Sequence, residues 1–247
     1  MKIAVLSDIH GNIAALEAVL AHSGALAVDR TVNLGDICSG PLWPAETADR
    51  LMPLALPTIR GNHERQVMEG TLTTMGQSDA YAKQALREDQ LAWLSALPES
   101  LRLSERVLMV HGTPGSDLEY FLETVTEHGA RPATTDEVVA RAGPADADLI
   151  LCGHTHIPRA VQLPDGRLVV NPGSVGLPAY EDARPFPHAM ETGTPHARYA
   201  TVCDDGGRWS VSFHAVPYDW EEAARAAETQ NRPDWARALR NGRGMSG

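Results

Sequence analysis

Short apolar runs alternate with amphipathic stretches through the first part of the chain. Residues 2–7 form an apolar run that predicts a buried β-strand, and residues 13–22 follow with apolar positions at helical spacing, which predicts an amphipathic helix. The same alternation continues to residue 152. The further elements that we predict there are strands 30–34, 57–60, 101–104, 106–110 and 148–152 and helices 45–54, 78–96, 116–123 and 135–142.

The pattern changes after residue 152, where β-type runs follow one another. We predict strands at 160–163, 167–170, 199–203 and 209–216, and two amphipathic helices at about 219–228 and 233–239. Residues 177–198 are rich in proline, glycine and histidine, so we expect a long loop there. Residues 242–247 are expected to fray.

The order of these elements predicts an α/β fold. Strand–helix alternation followed by a run of strands is typical of two sheets that pack together with helices outside. A chain of 247 residues can bury one sizeable core, and no stretch is typical of a linker. We therefore expect a single domain over residues 1–247.

Composition and charge narrow the classes of function. The content of 43% hydrophobic and 21% charged residues is that of an ordinary globular protein. The net charge of -11 argues against a broad surface for polymeric nucleic acid, which needs clustered lysine and arginine. It leaves an anionic substrate open, because bound divalent cations can be the largest local charges in a site.

Cysteine usage and hydropathy bear on the compartment. Cys38, Cys152 and Cys203 are odd in number and widely spaced, which predicts neither a disulfide framework nor a thiolate metal site. The N-terminal residues lack a signal-peptide pattern, and no apolar run approaches the ~20 residues that would span a bilayer. We therefore expect a cytoplasmic protein with no membrane association.

Residue types that bind metal ions follow five of the predicted strands, at the point where each strand ends. The candidate ligands, in chain order, are Asp8, His10, Asp36, Asn62, His111, His154 and His156. Because open α/β sheets bind ligands beyond the carboxyl ends of their strands, we expect these side chains to meet there. Asn62 is the ligand with the most credible alternative role, that of a turn residue with positive φ.

Carboxylate and imidazole ligands indicate a particular chemistry. They suit borderline divalent cations, and two such cations about 3.5–4 Å apart can polarise a phosphoryl group and lower the pKa of a bound water. The ligand types leave manganese, which is our first expectation, beside iron, nickel, cobalt and zinc. Phosphoester cleavage also needs a proton donor or cationic group near the leaving oxygen. His63, directly after Asn62, could serve as that catalytic group or only support a ligand.

These motifs resemble those of a known superfamily. Asp8-x-His10, Gly35-Asp36, Gly61-Asn62-His63-Glu64, His111 and Gly153-His154-Thr155-His156 together look like the motif series of the calcineurin-like metallophosphoesterases. The stretches at residues 7–12 and 171–176 resemble the small bacterial and archaeal branch that includes the YfcE-type phosphodiesterases. The resemblance spans about residues 1–218, and every ligand position is kept.

The resemblance implies a fold, a ligand set and a mechanism. The fold implied is a four-layer α/β/β/α sandwich of two mixed sheets. The first metal ion would be held by Asp8, His10, Asp36 and His156, and the second by Asp36, Asn62, His111 and His154, with Asp36 bridging. The family further implies a water or hydroxide between the metals as the nucleophile, and that His63 protonates the leaving group or stabilises the transition state.

The leading functional hypothesis is hydrolysis of a small phosphodiester such as a 2′,3′-cyclic nucleotide. Phosphomonoesterase, protein phosphatase and dinucleoside polyphosphate hydrolase remain open, since no residue selects a diester. A non-catalytic interaction scaffold is disfavoured because the ligands and His63 are kept together, and a nuclease is disfavoured by the net charge. Asn12, Tyr180 and Arg184 could contact substrate, with turn and loop roles as alternatives. The sequence leaves the oligomeric state open.

Overall fold

The computed structural model describes residues 1–245, and its main feature is a pair of mixed β-sheets between helices. The strands are β1 (Lys2–Leu6), β2 (Arg30–Asn33), β3 (Leu101–Ser104), β4 (Val107–Met109), β5 (Glu123–Thr126), β6 (Gly129–Pro132), β7 (Leu149–Leu151), β8 (Arg159–Gln162), β9 (Leu168–Asn171), β10 (Ala179–Asp182), β11 (His188–Glu191), β12 (Ala197–Asp205) and β13 (Arg208–Val216). The helices are α1 (Ile13–Gly24), α2 (Pro44–Leu51), α3 (Asn62–Glu69), α4 (Gln77–Ala85), α5 (Glu88–Ser95), α6 (Thr135–Ala142), α7 (Trp220–Thr229) and α8 (Pro233–Asn241).

The two large sheets have the orders β13-β12-β1-β2 and β3-β4-β7-β9-β8. In the first sheet β1 runs parallel to β2 and antiparallel to β12, and in the second β7 runs parallel to both β4 and β9. The carboxyl ends of the parallel strands therefore lie at one edge of each sheet. This edge is where the predicted ligands follow in the sequence.

Alternation along the strands decides which side chains meet between the sheets. Ile3 and Val5 belong to a buried cluster with side chains of β4, β7 and β9. Ala4 and Leu6 point to the other face, where they pack with Leu16 of α1. Successive strand residues face opposite sides of a sheet, so a strand that is apolar throughout must be covered on both faces.

The outer face of the second sheet is covered in the same way. Ile150 and Val169 pack against Val138 of α6. Thr134 caps α6 as its sequence predicts, because its hydroxyl accepts the Glu137 N–H at 3.3 Å and its own N–H donates to the Glu137 carboxylate at 2.6 Å. Helix, sheet, sheet and helix follow in that order, and the predicted four-layer sandwich is confirmed.

Three predicted elements in the first part of the chain differ from the structure. The helical stretch predicted at 78–96 is two helices, α4 and α5, because Leu86 and Arg87 between them are extended. Residues 116–123 are not helical: turns lead into the hairpin of β5 and β6, which the sequence analysis missed. The apolar residues that suggested a helix, Phe121 and Leu122, are buried beside α6 instead. The strand predicted at 57–60 is reduced to a single bridge between Asn33 and Thr58, because Pro57 has no N–H to donate to a ladder.

The long loop predicted at 177–198 was also wrong, since β10 and β11 form an antiparallel hairpin there. Ala179, His188 and Met190 are buried while Ala189 between them is exposed, as expected for strands with one covered face. Pro178 lies directly before β10, and the other prolines and the glycine lie in the turn at 183–187 and in the connection to β12.

The C-terminal segment that we expected to fray makes several contacts as far as the structure describes it. Gly242 ends α8 at a φ of 68°, and the Gly244 N–H donates to the Glu191 carboxylate at 2.7 Å. Residues 246–247 lie outside the described residues. Within residues 1–245 the helices are too short or too polar to span a bilayer.

Candidate metal centre

Six candidate ligands converge in two groups at the ends of β1, β2, β4 and β7. Asp8, His10 and His156 form one group, and Asp36, His111 and His154 form the other. In each group, one potential ligand atom from every residue lies within 4.8 Å of the others. Five of the six residues are buried, and His154 is partly exposed.

The backbone at these positions is unusual. Eight non-glycine residues within 1–245 have positive φ, and five of them are candidate ligands: Asp8, His10, Asp36, His154 and His156, with φ between 53° and 69°. Left-handed conformations of such residues are uncommon and cluster at functional sites. At these positions the left-handed conformation turns the main chain sharply after the strand, so that the side chain of the candidate ligand lies across the edge of the sheet.

Three of the histidines are anchored in the same way. The Nδ1 atoms of His10, His111 and His156 each lie 2.7 Å from a main-chain oxygen, those of Ser39, Leu34 and Leu177 respectively. A carbonyl can only accept, so Nδ1 carries a proton in each ring and Nε2 is the nitrogen that faces the site. Nε2 of His111 lies 3.1 Å from a carboxylate oxygen of Asp36. Such anchoring of the second ring nitrogen is the usual support of a metal-ligating histidine.

The short distance between the Nε2 atoms of His10 and His156 indicates whether these residues fit a cation. Their Nε2 atoms are 3.1 Å apart, although each ring uses its Nδ1 proton elsewhere. Two lone pairs that face each other at this distance repel unless a positive charge lies between them. The donor set of imidazole nitrogens and carboxylate oxygens, without thiolate, fits a borderline divalent cation.

His154 is held differently from the other histidines. Its Nε2 lies 3.1 Å from the Leu118 oxygen, which leaves Nδ1 as the ring nitrogen available to a cation. Its N–H also donates to the Asp8 carboxylate at 3.2 Å, so the two groups are connected through the main chain.

The charges of the carboxylates and imidazoles are strongly coupled. Burial alone would raise the pKa of the Asp36 carboxyl, but His111 and His63 hold that pKa well below its usual value. Burial, together with the charge of a neighbouring imidazole, lowers the pKa of both His10 and His154 to about 4. These two rings are therefore neutral at pH 7, which is the form that binds metals.

Asn62 is the first residue of α3, and its Oδ1 lies 3.1 Å from Nε2 of His111. It is not among the positive-φ residues within 1–245, so the alternative role as a left-handed turn residue was wrong. The amide oxygen instead lies beside the group of Asp36, His111 and His154.

His63 lies beside these groups but its side chain remains accessible. Its side chain is 28% exposed, its N–H donates to the Asp36 carboxylate at 3.0 Å, and its Nδ1 lies 2.7 Å from Oδ1 of Asp79. The same Asp79 oxygen accepts from the Ser39 hydroxyl at 2.7 Å. Burial would lower the pKa of His63, but Asp36 and Asp79 raise it to about 9.

Comparison with known proteins establishes the family. The model of the calcineurin-like phosphoesterase superfamily domain matches residues 1–190, well over half of the chain. The chain belongs to the calcineurin-like phosphoesterase superfamily. It is a metal-dependent phosphoesterase, as the motif series predicts, whereas the finer assignment to the YfcE-type branch stays a prediction.

Relatives extend the likeness over nearly the whole chain. An uncharacterized protein of Methanocaldococcus jannaschii is 27% identical over 247 residues, covering 94% of each chain. The metallophosphoesterase from Sphaerobacter thermophilus matches with a TM-score of 0.74 at 25% identity, covering 97% of this chain and 98% of its own. A hypothetical protein of Pyrococcus horikoshii shares the fold, with a TM-score of 0.75 at 20% identity over 98% of each chain.

Two acidic residues that support this metallophosphoesterase site were missed by sequence reasoning. The Glu64 carboxylate is buried and accepts the N–H groups of Asp36, Ile37 and Gly61, each at 2.8 Å. Its place three residues after Gly61 is a capping signal that could have identified it. Asp79, which accepts from His63, lies sixteen positions further along the chain on α4, and no local pattern points to it.

A cavity of about 1420 Å³ opens above the two groups and is the space available to a phosphoester. His63, Tyr180 and Arg184 line it. Asn12, the third predicted substrate contact, is fully buried instead: it caps α1 through the Ala15 N–H, and its Nδ2 donates to the Gly176 oxygen at 2.9 Å.

Proposed function

We propose that this metallophosphoesterase hydrolyses small phosphodiesters, with 2′,3′-cyclic nucleotides as the model class, at two divalent cations. The observation on which the proposal depends is the pairing of two ligand groups with an accessible histidine at the floor of one cavity. Manganese is the first candidate metal, and iron, nickel, cobalt and zinc also suit oxygen and nitrogen ligands.

We assign the ligands as the superfamily resemblance implies. Asp8, His10, Asp36 and His156 would hold one cation, and Asp36, Asn62, His111 and His154 the other, with Asp36 bridging. The two groups of candidate ligands, the Nδ1 anchoring of His10, His111 and His156, and the opposed Nε2 atoms support this assignment. When bound, the cations would polarise the phosphoryl oxygens as Lewis acids and would lower the pKa of a water, so that it can lose a proton and attack phosphorus as hydroxide.

His63 is the proposed catalytic residue of the chain itself. Asp79 holds its Nδ1–H, so Nε2 is the nitrogen that remains for the cavity. From there it can donate a proton to the oxygen of the departing alcohol, and the imidazolium can offset negative charge on the phosphoryl group. Its own N–H, bonded to Asp36, fixes the start of α3 beside the ligands.

The arginines of the cavity favour a diester over a monoester. Arg65 and Arg232 pair with the carboxylates of Asp117 and Asp234, and Arg141 donates to main-chain oxygens. A monoester dianion needs more cationic partners than a diester monoanion, and these three are already engaged. Arg184 has no side-chain partner within residues 1–245 and is our candidate contact for the substituent of a diester, beside Tyr180.

Cellular location and assembly belong to the same proposal. The three cysteines are free thiols, and Cys38 and Cys152 are buried, which fits a reducing cytoplasm. We propose one domain that acts on a small phosphoester without a polymeric nucleic acid or a membrane as partner.

The test compares two chromogenic esters on metal-free protein that has been reloaded with Mn²⁺. We expect kcat/KM for bis-p-nitrophenyl phosphate to exceed that for p-nitrophenyl phosphate by about tenfold or more, and 2′,3′-cyclic AMP to be opened to a single monoester. His63→Ala is the control, and it should lower both activities. Faster hydrolysis of the monoester would refute the proposed preference.

A further inference from the structure

Three side chains form a hydrogen-bonded chain that begins with two tyrosines of the cavity wall, Tyr180 and Tyr120, and ends at His188. The Tyr180 hydroxyl donates to the Tyr120 hydroxyl at 2.7 Å, and the Tyr120 oxygen lies 3.0 Å from Nε2 of His188. Tyr180 and His188 belong to β10 and β11, and Tyr120 belongs to the irregular segment between β4 and β5. The chain thus ties that segment to the β10–β11 hairpin.

The direction of these hydrogen bonds follows from the last member. Nδ1 of His188 lies 2.8 Å from the Phe186 oxygen, so Nδ1 carries the proton and Nε2 accepts. The Tyr120 hydroxyl must therefore donate to His188, and its oxygen is free to accept from Tyr180. The Tyr180 hydroxyl has a second, longer acceptor in the main-chain oxygen of His154 at 3.3 Å, and His188 is buried at the end of the chain.

Both tyrosines contact proposed metal ligands through their rings. The ring of Tyr120 meets that of His154 edge to face with the centroids 5.1 Å apart, and the ring of Tyr180 meets that of His156 in the same way at 4.7 Å. Tyr120 is also two residues from Leu118, whose oxygen accepts from Nε2 of His154.

His154 needs this support more than the other histidines do. The carbonyls that anchor His10, His111 and His156 belong to Ser39, Leu34 and Leu177, all at most 5% exposed. Leu118, which anchors His154, is 52% exposed and lies outside the strands and helices. A carbonyl on such a segment can orient a ligand only if another contact fixes the segment.

We propose that Tyr120 and His188 are positioning residues for the second metal ion, because their hydrogen bond fixes residues 118–120 so that the Leu118 carbonyl orients His154. This inference rests on the two-metal site proposed above. It also gives the β10–β11 hairpin a role in metal binding, and it commits the Tyr180 hydroxyl to Tyr120.

The experiment is a titration of metal-free protein with Mn²⁺, read by calorimetry and by the electron paramagnetic resonance of free Mn²⁺. Tyr120→Phe keeps the ring beside His154 and removes only the hydroxyl. We expect it to weaken the binding of one of the two ions about tenfold and to leave the other unchanged, as is typical when a partner of a ligand is removed. His188→Phe should have the same effect, and the double variant should be no worse than either single one.

Tyr199→Phe is the matched control. It also removes a tyrosine hydroxyl bonded to a histidine, at 2.8 Å from Nδ1 of His22, and the histidines that its ring contacts, His22 and His214, are not candidate ligands. The inference is overturned if Tyr120→Phe binds both ions as the wild type does, or if Tyr199→Phe weakens binding equally. If the wild type binds fewer than two ions, the two-metal proposal falls and this inference falls with it.

Discussion

Removal of the negative charge of Asp79 tests how far that charge supports the orientation and the protonated form of the His63 ring. Asp79 is 4% exposed, and one of its oxygens accepts from both the His63 ring and the Ser39 hydroxyl at 2.7 Å. Asp79→Asn keeps the shape of the side chain and one acceptor oxygen. It removes the negative charge that holds the His63 imidazole in one orientation and favours its protonated form.

The expected magnitude follows from the kind of hydrogen bond that is lost. A hydrogen bond to a charged group contributes about 1.5–3 kcal/mol and a neutral one about 0.5–1.5 kcal/mol. The variant replaces the first kind by the second, a loss of about 1–2 kcal/mol, which lowers kcat roughly 5- to 30-fold. KM and the metal content should change little, because Asp79 is not among the proposed ligands.

The assay is initial-rate hydrolysis of bis-p-nitrophenyl phosphate with Mn²⁺, accompanied by elemental analysis. Ser39→Ala is the control: it removes a neutral donor from the same oxygen and keeps the Asp79 charge, so the change in kcat should stay below about threefold. In the His63→Ala background, Asp79→Asn should have no further effect. An unchanged kcat in Asp79→Asn, or a full additional loss in the double variant, would refute the coupling of Asp79 to His63.

Three further variants test the site from other directions. His63→Ala should lower kcat by about 10²- to 10⁴-fold with the metal content nearly intact, whereas Asp36→Ala should empty or scramble both metal sites. Equal loss of metal from the two proteins, measured by elemental analysis, would contradict the assigned roles. The Glu64 carboxylate accepts hydrogen bonds from three main-chain N–H groups, and Glu64→Gln places an amide NH₂ against some of these donors. We therefore expect the free energy of unfolding of metal-free protein to fall by about 2–4 kcal/mol in urea titrations. A fall below about 1 kcal/mol would show that the three N–H groups find other partners.

The sequence predicted the parts of the site that depend on local order. Asp8, Asp36 and His111 closely follow apolar strands, and parallel strands bring their carboxyl ends together, so these three residues could be grouped without coordinates. Strand and helix types were predictable for the same reason, because alternation and helical spacing are local patterns. The confirmed superfamily assignment rests on the same residues.

The errors fell where local composition and tertiary packing disagree. The β10–β11 hairpin lies in a stretch of prolines and glycine, and its strands are fixed by pairing and by the burial of His188 and Met190. The contact of Asp79 with His63 and that of Tyr120 with His188 join residues 16 and 68 positions apart. No periodic pattern encodes such contacts, because they depend on how α4 and the hairpin pack onto the sandwich.

The left-handed backbone at the ligands explains why neighbouring residues that bind no metal belong to the same site. A strained non-glycine conformation costs about 1–3 kcal/mol, and it persists only where the surroundings fix it. Glu64 accepts the N–H groups of Asp36 and Ile37 in the turn after β2 and that of Gly61 before α3. The Ser174 hydroxyl donates to the main-chain oxygen of Asp8 at 2.7 Å. The Asn171 amide donates to the Gly153 oxygen at 2.6 Å, directly before His154. The motif residues around the proposed ligands therefore fix the backbone angles that aim them, and loss of any of these hydrogen bonds should release strain at the proposed metal centre before it affects the core.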